Sequence, residues 1–322
     1  MTSVALCTYN GEKYIEEQIS SILNQSVPVD EIVVCDDGST DNTLALIEKF
    51  HPHTKMNIRI YRNEHQLGVC ANFQKAIDLC EGDIIFLSDQ DDVWHQNKVE
   101  VVCKWFDENP TKEVVFSDGR LIDEEGKLIN NNSLWKCFGL TNFNLQLIDH
   151  GSGIELFAYG NRVTGATMAI RSEFEYTHCF INYCKNGILH DGALTMLSLY
   201  NNQLGYVDTS LIDYRIHRHQ KNGVGEYLTL PMNSDQREIC YTASVWNSLT
   251  LPSALQQRIS FLLYRERWHH KRFGLLYMFQ SIHSYITFYS KIWFSFLVFD
   301  MKKWLTNTYR YLFSNKCPLS PS

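Results

Sequence analysis

DIIFLSDQDDVW, residues 83–94, joins an apolar run of strand length to three carboxylates within four positions, Asp89, Asp91 and Asp92. Like charges repel there, and each costs free energy to remove from water. A buried strand that discharges into such a cluster predicts an open α/β sheet, because ligand sites in these sheets gather outside the carboxyl ends of the strands. The neighbouring sequence fits. Apolar runs at 3–8, 31–35, 58–61 and 83–88 are each followed by a segment with helical spacing, at 11–24, 41–50, 70–80 and 97–109. Strand alternating with helix implies parallel strands joined by crossover helices. The first strand ends in TYNGE, the second in DDGSTDNT and the fourth in SDQDDVW, so polar and acidic residues collect along one edge.

Each cluster also has a purely local explanation. In CDDGSTDNT, a turn at Gly38 and a helix cap from Ser39, Thr40 or Asp41 account for much of the composition. They leave the tandem Asp36 and Asp37 unexplained, and a carboxylate at that strand end can accept hydrogen bonds from a base or a ribose. In TYNGEKY, Asn10 and Gly11 can supply a turn before a helix. The run after the fourth strand asks for more than a turn. Two Asp residues separated by one position hold oxygens close enough to share Mg²⁺ or Mn²⁺, which keeps several waters and bridges few carboxylates to a diphosphate. Asp89 and Asp91 are the pair expected to do so, with Asp92 expected to cap the next helix or orient a ligand.

The 322 residues suffice for one large domain or a domain of about 200–250 residues with an appendage. Hydrophobic content of 44% with 20% charge is ordinary for a globular chain. Ten cysteines include no CxxC pair and several lie in strand-like runs, which suits reduced thiols in the cytoplasm rather than a disulfide framework. No secretory leader is expected at the N-terminus. From residue 253 onward there are ten Lys or Arg against two acidic residues, a charge of +8, so the preceding body carries −15. An acidic body argues against nucleic acid as a partner. The tail mixes Trp, Tyr and Phe with its basic residues, while its most apolar run, IWFSFLVF at 292–299, has only eight residues. A spanning helix needs roughly 20. Helices lying on an anionic membrane surface are the expectation, a packed helical subdomain the plainer alternative.

Four motifs, ALCTYNGEKYIEEQISSILNQS, EIVVCDDGSTDNT, NEHQLGVCANFQKAI and GDIIFLSDQDDVW, resemble in order and spacing the nucleotide-sugar-binding half of family-2 glycosyltransferases. The resemblance covers roughly residues 1–220. It implies the GT-A fold, a Rossmann-like, mostly parallel central sheet flanked by helices, here with a C-terminal helical extension. It implies a catalytic domain at 1–225, divided into a nucleotide-sugar half (1–110) and an acceptor half (111–225), and a basic-aromatic region at 226–322. Thr8, Tyr9, Asn10, Asp36 and Asp37 would then hold base and ribose, and Asp89 and Asp91 would form a DxD element with Asp91 the direct metal ligand.

On the same resemblance, the loop of NRVTGATMAIRSEF around Gly165 lines the donor and acceptor sugars; otherwise it is an edge-strand turn. HDGALTMLSLY places His190 and Asp191 at a helix start, where the family carries an acidic pair whose second member is the general base. His190 replaces the first acid and Asp191 keeps the second; a helix cap is its other reading. LIDYRIHRHQKNG resembles the family's Tyr-Arg-x-His strand end, with His217 completing the metal shell and Arg215, Arg218 or Lys221 meeting the diphosphate. The QxxRW signature of processive enzymes is absent, which favours addition of a single sugar. The implied reaction is inverting transfer from a nucleotide-sugar such as a UDP- or dTDP-sugar to a hydroxyl of a saccharide or lipid-linked acceptor. Bacterial surface-polysaccharide enzymes, rhamnosyltransferases included, have this layout. A haloacid-dehalogenase phosphohydrolase would need Asp-x-Asp-Gly-Thr, and a sugar-nucleotide pyrophosphorylase a glycine-rich basic loop after the first strand; neither is present. A non-catalytic membrane scaffold would leave the acidic edge without a purpose.

Overall fold

The computed structural model describes residues 1–50, 56–149, 153–157, 161–184, 188–218 and 220, without the side chains of 130, 131, 143, 144, 155 and 156. The basic-aromatic tail, its expected membrane contact and Lys221 lie outside the described residues.

The first half follows the alternation of the sequence. Strands β1 (Thr2–Thr8), β2 (Glu31–Asp36), β3 (Asn57–Arg62) and β4 (Ile84–Ser88) alternate with helices α1 (Ile15–Leu23), α2 (Thr43–Glu48) and α3 (Val69–Leu79). Every residue of β2 is buried, as expected for a parallel strand covered on both faces. Pairing is parallel throughout this half, with Val4 opposite both Ile32 and Phe86. Helix α1 buries Ile15, Ile19 and Ile22, one stripe of its surface, against the same core that holds Val4, Ile32 and Phe86. Burying each such side chain contributes about 1.5–3 kcal/mol.

The second half departs from a mostly parallel sheet. After β5 (Val93–Trp94) and α4 (Lys98–Glu108) come β6 (Val114–Ile122) and β7 (Leu128–Ser133). Three short helices follow, α5 (Leu134–Cys137), α6 (Asn142–Asp149) and α7 (Ile154–Phe157). A 3₁₀ turn at Gly165–Thr167 leads into β8 (Met168–Arg171), then α8 (His190–Tyr200) and β9 (Leu204–Arg215). The strand order is β3-β2-β1-β4-β8-β6-β9-β5, with β7 on β6. Strand β8 is antiparallel to both β4 and β6, and β9 is parallel to β6. It follows that β6 and β9 run in the direction of β1–β4, so the ends of β4 and β9 reach the same edge. The turn after Gly165 therefore opens a central strand and is no edge-strand turn.

Candidate active site

At the ends of β1 and β2 the tandem acids divide their work. Asp36 is fully buried and accepts from Thr8 Oγ1 (2.9 Å), Ser39 Oγ (2.5 Å) and the Ser39 amide (2.8 Å), with the Gly38 amide at 3.2 Å. It stitches β1 to the turn, and the hydroxyl of Thr8 is spent on it. Asp37 accepts from Asn63 Nδ2 (2.9 Å) and the amides of Leu67 (2.7 Å) and Gly68 (2.9 Å), yet it also lines a cleft of ≈ 590 Å³. Tyr9, Gly38 and residues Arg62 to Gln66 line the rest. Asn10, at φ +49°, accepts from the Thr40 amide at 2.8 Å and so braces the neighbouring turn. The expected grouping of Thr8, Tyr9, Asn10, Asp36 and Asp37 at one strand edge holds, but Asp37 and Tyr9 face the cleft while Asp36 and Thr8 face each other.

The acidic turn after β4 closes against the end of β9. Asp91 Oδ2 lies 2.7 Å from His217 Nε2, both side chains being largely buried. Asp92 is 1% exposed; its Oδ1 accepts from the Arg215 amide at 3.1 Å and its Oδ2 has no partner. Asn97 holds the N-cap position of α4, without a capping bond from its side chain, so the cap expected of Asp92 is not made; the strand pairing of Trp94 with Ile212 turns Asp92 toward β9. Burial first, then the charge of Asp91, pushes the half-buried Asp89 carboxyl up to about 7. The same two causes raise Asp92, with Asp89 adding to them.

Arg215 sits elsewhere than expected. It is 1% exposed, with Nε donating to the Asp91 carbonyl (2.8 Å), Nη2 to Glu17 (2.5 Å) and the guanidinium 4.6 Å from the centre of the Tyr14 ring. Its donors support the acidic turn from beneath instead of facing a diphosphate, since Arg215 ends the buried strand β9 and does not belong to a loop. Arg218 is exposed, its amide 3.4 Å from Glu124.

On the other side, α8 brings His190 and Asp191 to the site. Asp191 is 8% exposed and its Oδ1 accepts from the Gly192 amide at 2.7 Å, so the helix end holds the carboxylate. The His190 ring stacks on Phe73 at 4.0 Å and lies beside the Cys70 thiol. Burial alone would lower its pKa, but the Cys70 thiol and the charges of Asp191 and Asp89 raise it above the usual imidazole range. Gly165 abuts that ring: a Cβ there would stand 2.3 Å from His190 Nε2. Asp191 also lies near enough to raise Asp89, which places the acidic turn and the start of α8 at one locus.

Two features escaped the sequence reading. One is the cleft lining of Arg62 to Gln66, at the end of β3: Asn63 to Gln66 open the motif NEHQLGVCANFQKAI, but none of them was expected as a site residue. Lys98 is fully buried; its Nζ donates to the Ala166 carbonyl at 2.8 Å and lies 3.9 Å from the centre of the Trp94 ring. Burial pulls its pKa down to about 7 against the opposing pull of Asp92 and Asp89. Its spacing with Val102 and Phe106 put it on the buried face of α4.

The residues present suit a hard divalent cation. Asp89, Asp91 and His217 offer carboxylate oxygens and an imidazole, and His217 Nδ1 and Asp92 Oδ2 are buried without partners. Among the described residues no three His, Cys, Asp or Glu side chains close into a complete set. Such a partial shell matches a cation that takes its remaining ligands from substrate and water.

Comparison with known proteins identifies the family. The profile described as glycosyl transferase family 2 matches residues 3–162. A dTDP-rhamnosyl transferase, RfbG of Shigella flexneri, is 31% identical over 233 residues, 68% of this chain and 73% of that protein. The chain belongs to glycosyl transferase family 2. Other family 2 relatives are much longer: the chondroitin synthase of Escherichia coli is 28% identical over 177 residues, 55% of this chain but only 25% of its own. Thus the chain spans a quarter or less of the first synthases it resembles. The solved mannosyltransferase PcManGT from Pyrobaculum calidifontis, in complex with GDP-Man and Mn²⁺, superposes with a TM-score of 0.51 at 14% identity, covering 98% of this chain and 88% of its own. That likeness establishes the GT-A fold for this family 2 chain. Among the described residues, no helix is long and apolar enough to cross a membrane.

Proposed function

We propose that this family 2 protein is an inverting glycosyltransferase. It moves one sugar from a nucleoside-diphosphate sugar to a hydroxyl of a saccharide or lipid-linked acceptor during cell-surface polysaccharide synthesis. The observation that carries this reading is the convergence at one edge of the acidic turn, the His217 imidazole 2.7 Å from Asp91, and the buried start of α8 with Asp191. Tyr9, Asp37 and the Arg62–Gln66 loop form the cleft for base and ribose. The RfbG relative favours a dTDP-sugar, dTDP-rhamnose among them, with a UDP-sugar as the competing donor.

Asp191 is the general base. Its Oδ1 is fixed by the Gly192 amide, leaving Oδ2 to take the proton of the acceptor hydroxyl as that oxygen attacks the anomeric carbon. No covalent intermediate is needed, so the second acid of the family pair suffices and His190 in the first position serves to line the site. Asp91, Asp89 and His217 hold Mn²⁺ or Mg²⁺, which when bound offsets the charge developing on the departing diphosphate. Gly165, packed against His190, carries the loop that lines the donor and acceptor sugars, and Arg218, exposed beyond β9, meets the diphosphate. Residues 226–322 attach the protein to the cytoplasmic face of the membrane through their basic and aromatic side chains.

Calorimetry with UDP-, dTDP- and GDP-sugars in Mn²⁺, followed by transfer to a lipid-linked acceptor, tests the reading. Asp91→Ala should abolish cation-dependent donor binding. Asp191→Asn should bind donor normally and lose transfer by about 10³-fold or more. Full transfer by Asp191→Asn would place the base elsewhere, and no binding of any sugar nucleotide would end the proposal. Deleting residues 270–322 should release the protein from vesicles without emptying the donor cleft.

A further inference from the structure

A fully buried ammonium is expensive to maintain, and a Met or Leu would fill the same space without that cost. Lys98 nevertheless occupies the core side of α4 at 0% exposure, and no carboxylate among the described residues pairs with it directly. Its two close partners belong to different parts of the site. Trp94, whose ring is 3.9 Å away, lies in β5, two residues beyond Asp92, and its backbone pairs with β9 opposite Ile212. The Ala166 carbonyl, 2.8 Å away, is the middle residue of the 3₁₀ turn Gly165–Thr167. The next contact in line is Gly165 against His190, so close that no side chain fits between them. After His190 comes Asp191.

We infer that Lys98 is a positioning residue, tethering the Gly165–Thr167 turn to the strand behind the acidic cluster and thereby setting the distance from Asp191 to Asp89 and Asp91. The assignment of Asp191 as base is taken from the function proposed above; the tether itself does not depend on it. The chemistry suits the task. An Nζ group over an indole face and on a carbonyl makes two directional contacts in a dry site, whereas an apolar side chain would hold the two segments by packing alone. Because the ammonium donates to a backbone carbonyl, it fixes main chain and not a rotatable side chain.

Lys98→Met keeps the length and apolar stem of the side chain while removing both contacts. The full chain carrying it should bind UDP or dTDP with Mn²⁺ within about twofold of the wild type and lose about 100-fold in kcat, since a misplacement of about 1 Å costs that much. Hydrogen exchange at the Thr167 amide, which bonds the Thr164 carbonyl at 2.9 Å, should accelerate. Gly165→Ala pushes on His190 from the other end of the same line and leaves Lys98 in place. It should show the same split, and the double variant should lose less than the product of the two single losses. The tether is refuted if Lys98→Met leaves kcat and Thr167 exchange unchanged, or if nucleotide binding falls in step with kcat. It is refuted equally if Gly165→Ala keeps full kcat. Should the wild type bind no nucleoside diphosphate, the proposed function falls, and the exchange of Thr167 in Lys98→Met still decides the tether.

Discussion

The two ends of the parallel half-sheet both bury carboxylates, and they treat them in opposite ways. At the amino end, Glu31 is fully buried and accepts from Ser3 Oγ (2.6 Å), the Glu81 amide (2.6 Å), and Arg59 through Nη2 (2.6 Å) and Nε (3.1 Å). Burial alone would raise its pKa; these donors bring it below the ordinary carboxylate value. At the carboxyl end, burial and mutual repulsion raise Asp89 and Asp92 against the opposing pull of Lys98, which pairs with neither, and Arg215 gives its side-chain donors to Glu17 and to carbonyls. A charge that serves the fold finds its complement within the chain. A charge kept without one is held for a partner from outside, which makes the electrostatic imbalance itself the functional signal.

Removing one acid at each end gives the largest test of this contrast. Glu31→Gln should cost about 3 kcal/mol in urea unfolding, because it takes away the buried counter-charge of Arg59 and leaves only the exposed Glu81 at 3.1 Å. Asp92→Asn should cost nothing or add stability in cation-free protein, since it relieves repulsion with Asp89 and Asp91 and keeps the acceptor for the Arg215 amide. Equal losses at both ends would erase the distinction.

The ends should also respond to pH with opposite sign. A carboxyl with a raised folded pKa binds its proton more tightly in the native state, so Asp89 makes cation-free protein lose stability as pH rises from about 4 to about 7. Glu31, lowered in the fold, contributes stability that is present above the ordinary glutamate value and is lost as pH falls through its folded pKa. Mn²⁺ at a hundredfold excess over its dissociation constant should restore about 2.7 kcal/mol at pH 8. At pH 5 protons compete for the same oxygens, and the gain should nearly vanish. Thermal denaturation at the two pH values, with and without Mn²⁺, measures this. A gain that persists in Asp91→Ala would put the cation elsewhere.

Much of this was readable in the sequence for a physical reason. Parallel strands covered on both faces must be continuous apolar runs, so β1, β2 and β4 announced themselves within a residue of their observed ends, and the half-buried edge strand β3 did so through Ile58 and Ile60. The acidic turn was equally plain, because a cap or a turn accounts for one Asp behind such a run and not for three. The second half was less legible: the insertion of β8 between β4 and β6 is a long-range pairing that no local pattern encodes. Side-chain direction was the other blind spot. Composition could not say that Asp36 turns inward while Asp37 lines the cleft, nor that Arg215 ends a buried strand. Lys98 was within reach, because its helical spacing with Val102 and Phe106 marks it as buried.

The smallest test concerns a carboxylate at the functional end that obeys the rule of the other end. Asp36 lies level with Thr8 across the β1–β2 pairing, and four donors saturate it much as Glu31 is saturated. If partners, and not position along the strand, decide which acids serve the fold, Thr8→Val should behave as a stability mutation. The loss should be about 1 kcal/mol, the worth of one hydrogen bond to an acceptor that keeps three others. Nucleotide affinity should change little, because the lost hydroxyl faces Asp36 and not the cleft between Tyr9 and Asp37. Urea unfolding and calorimetry on the same preparation separate the two effects. A variant of unchanged stability that no longer binds nucleotide would mean that Thr8 reaches the ligand, and the carboxyl edge would then hold no purely structural acid at all.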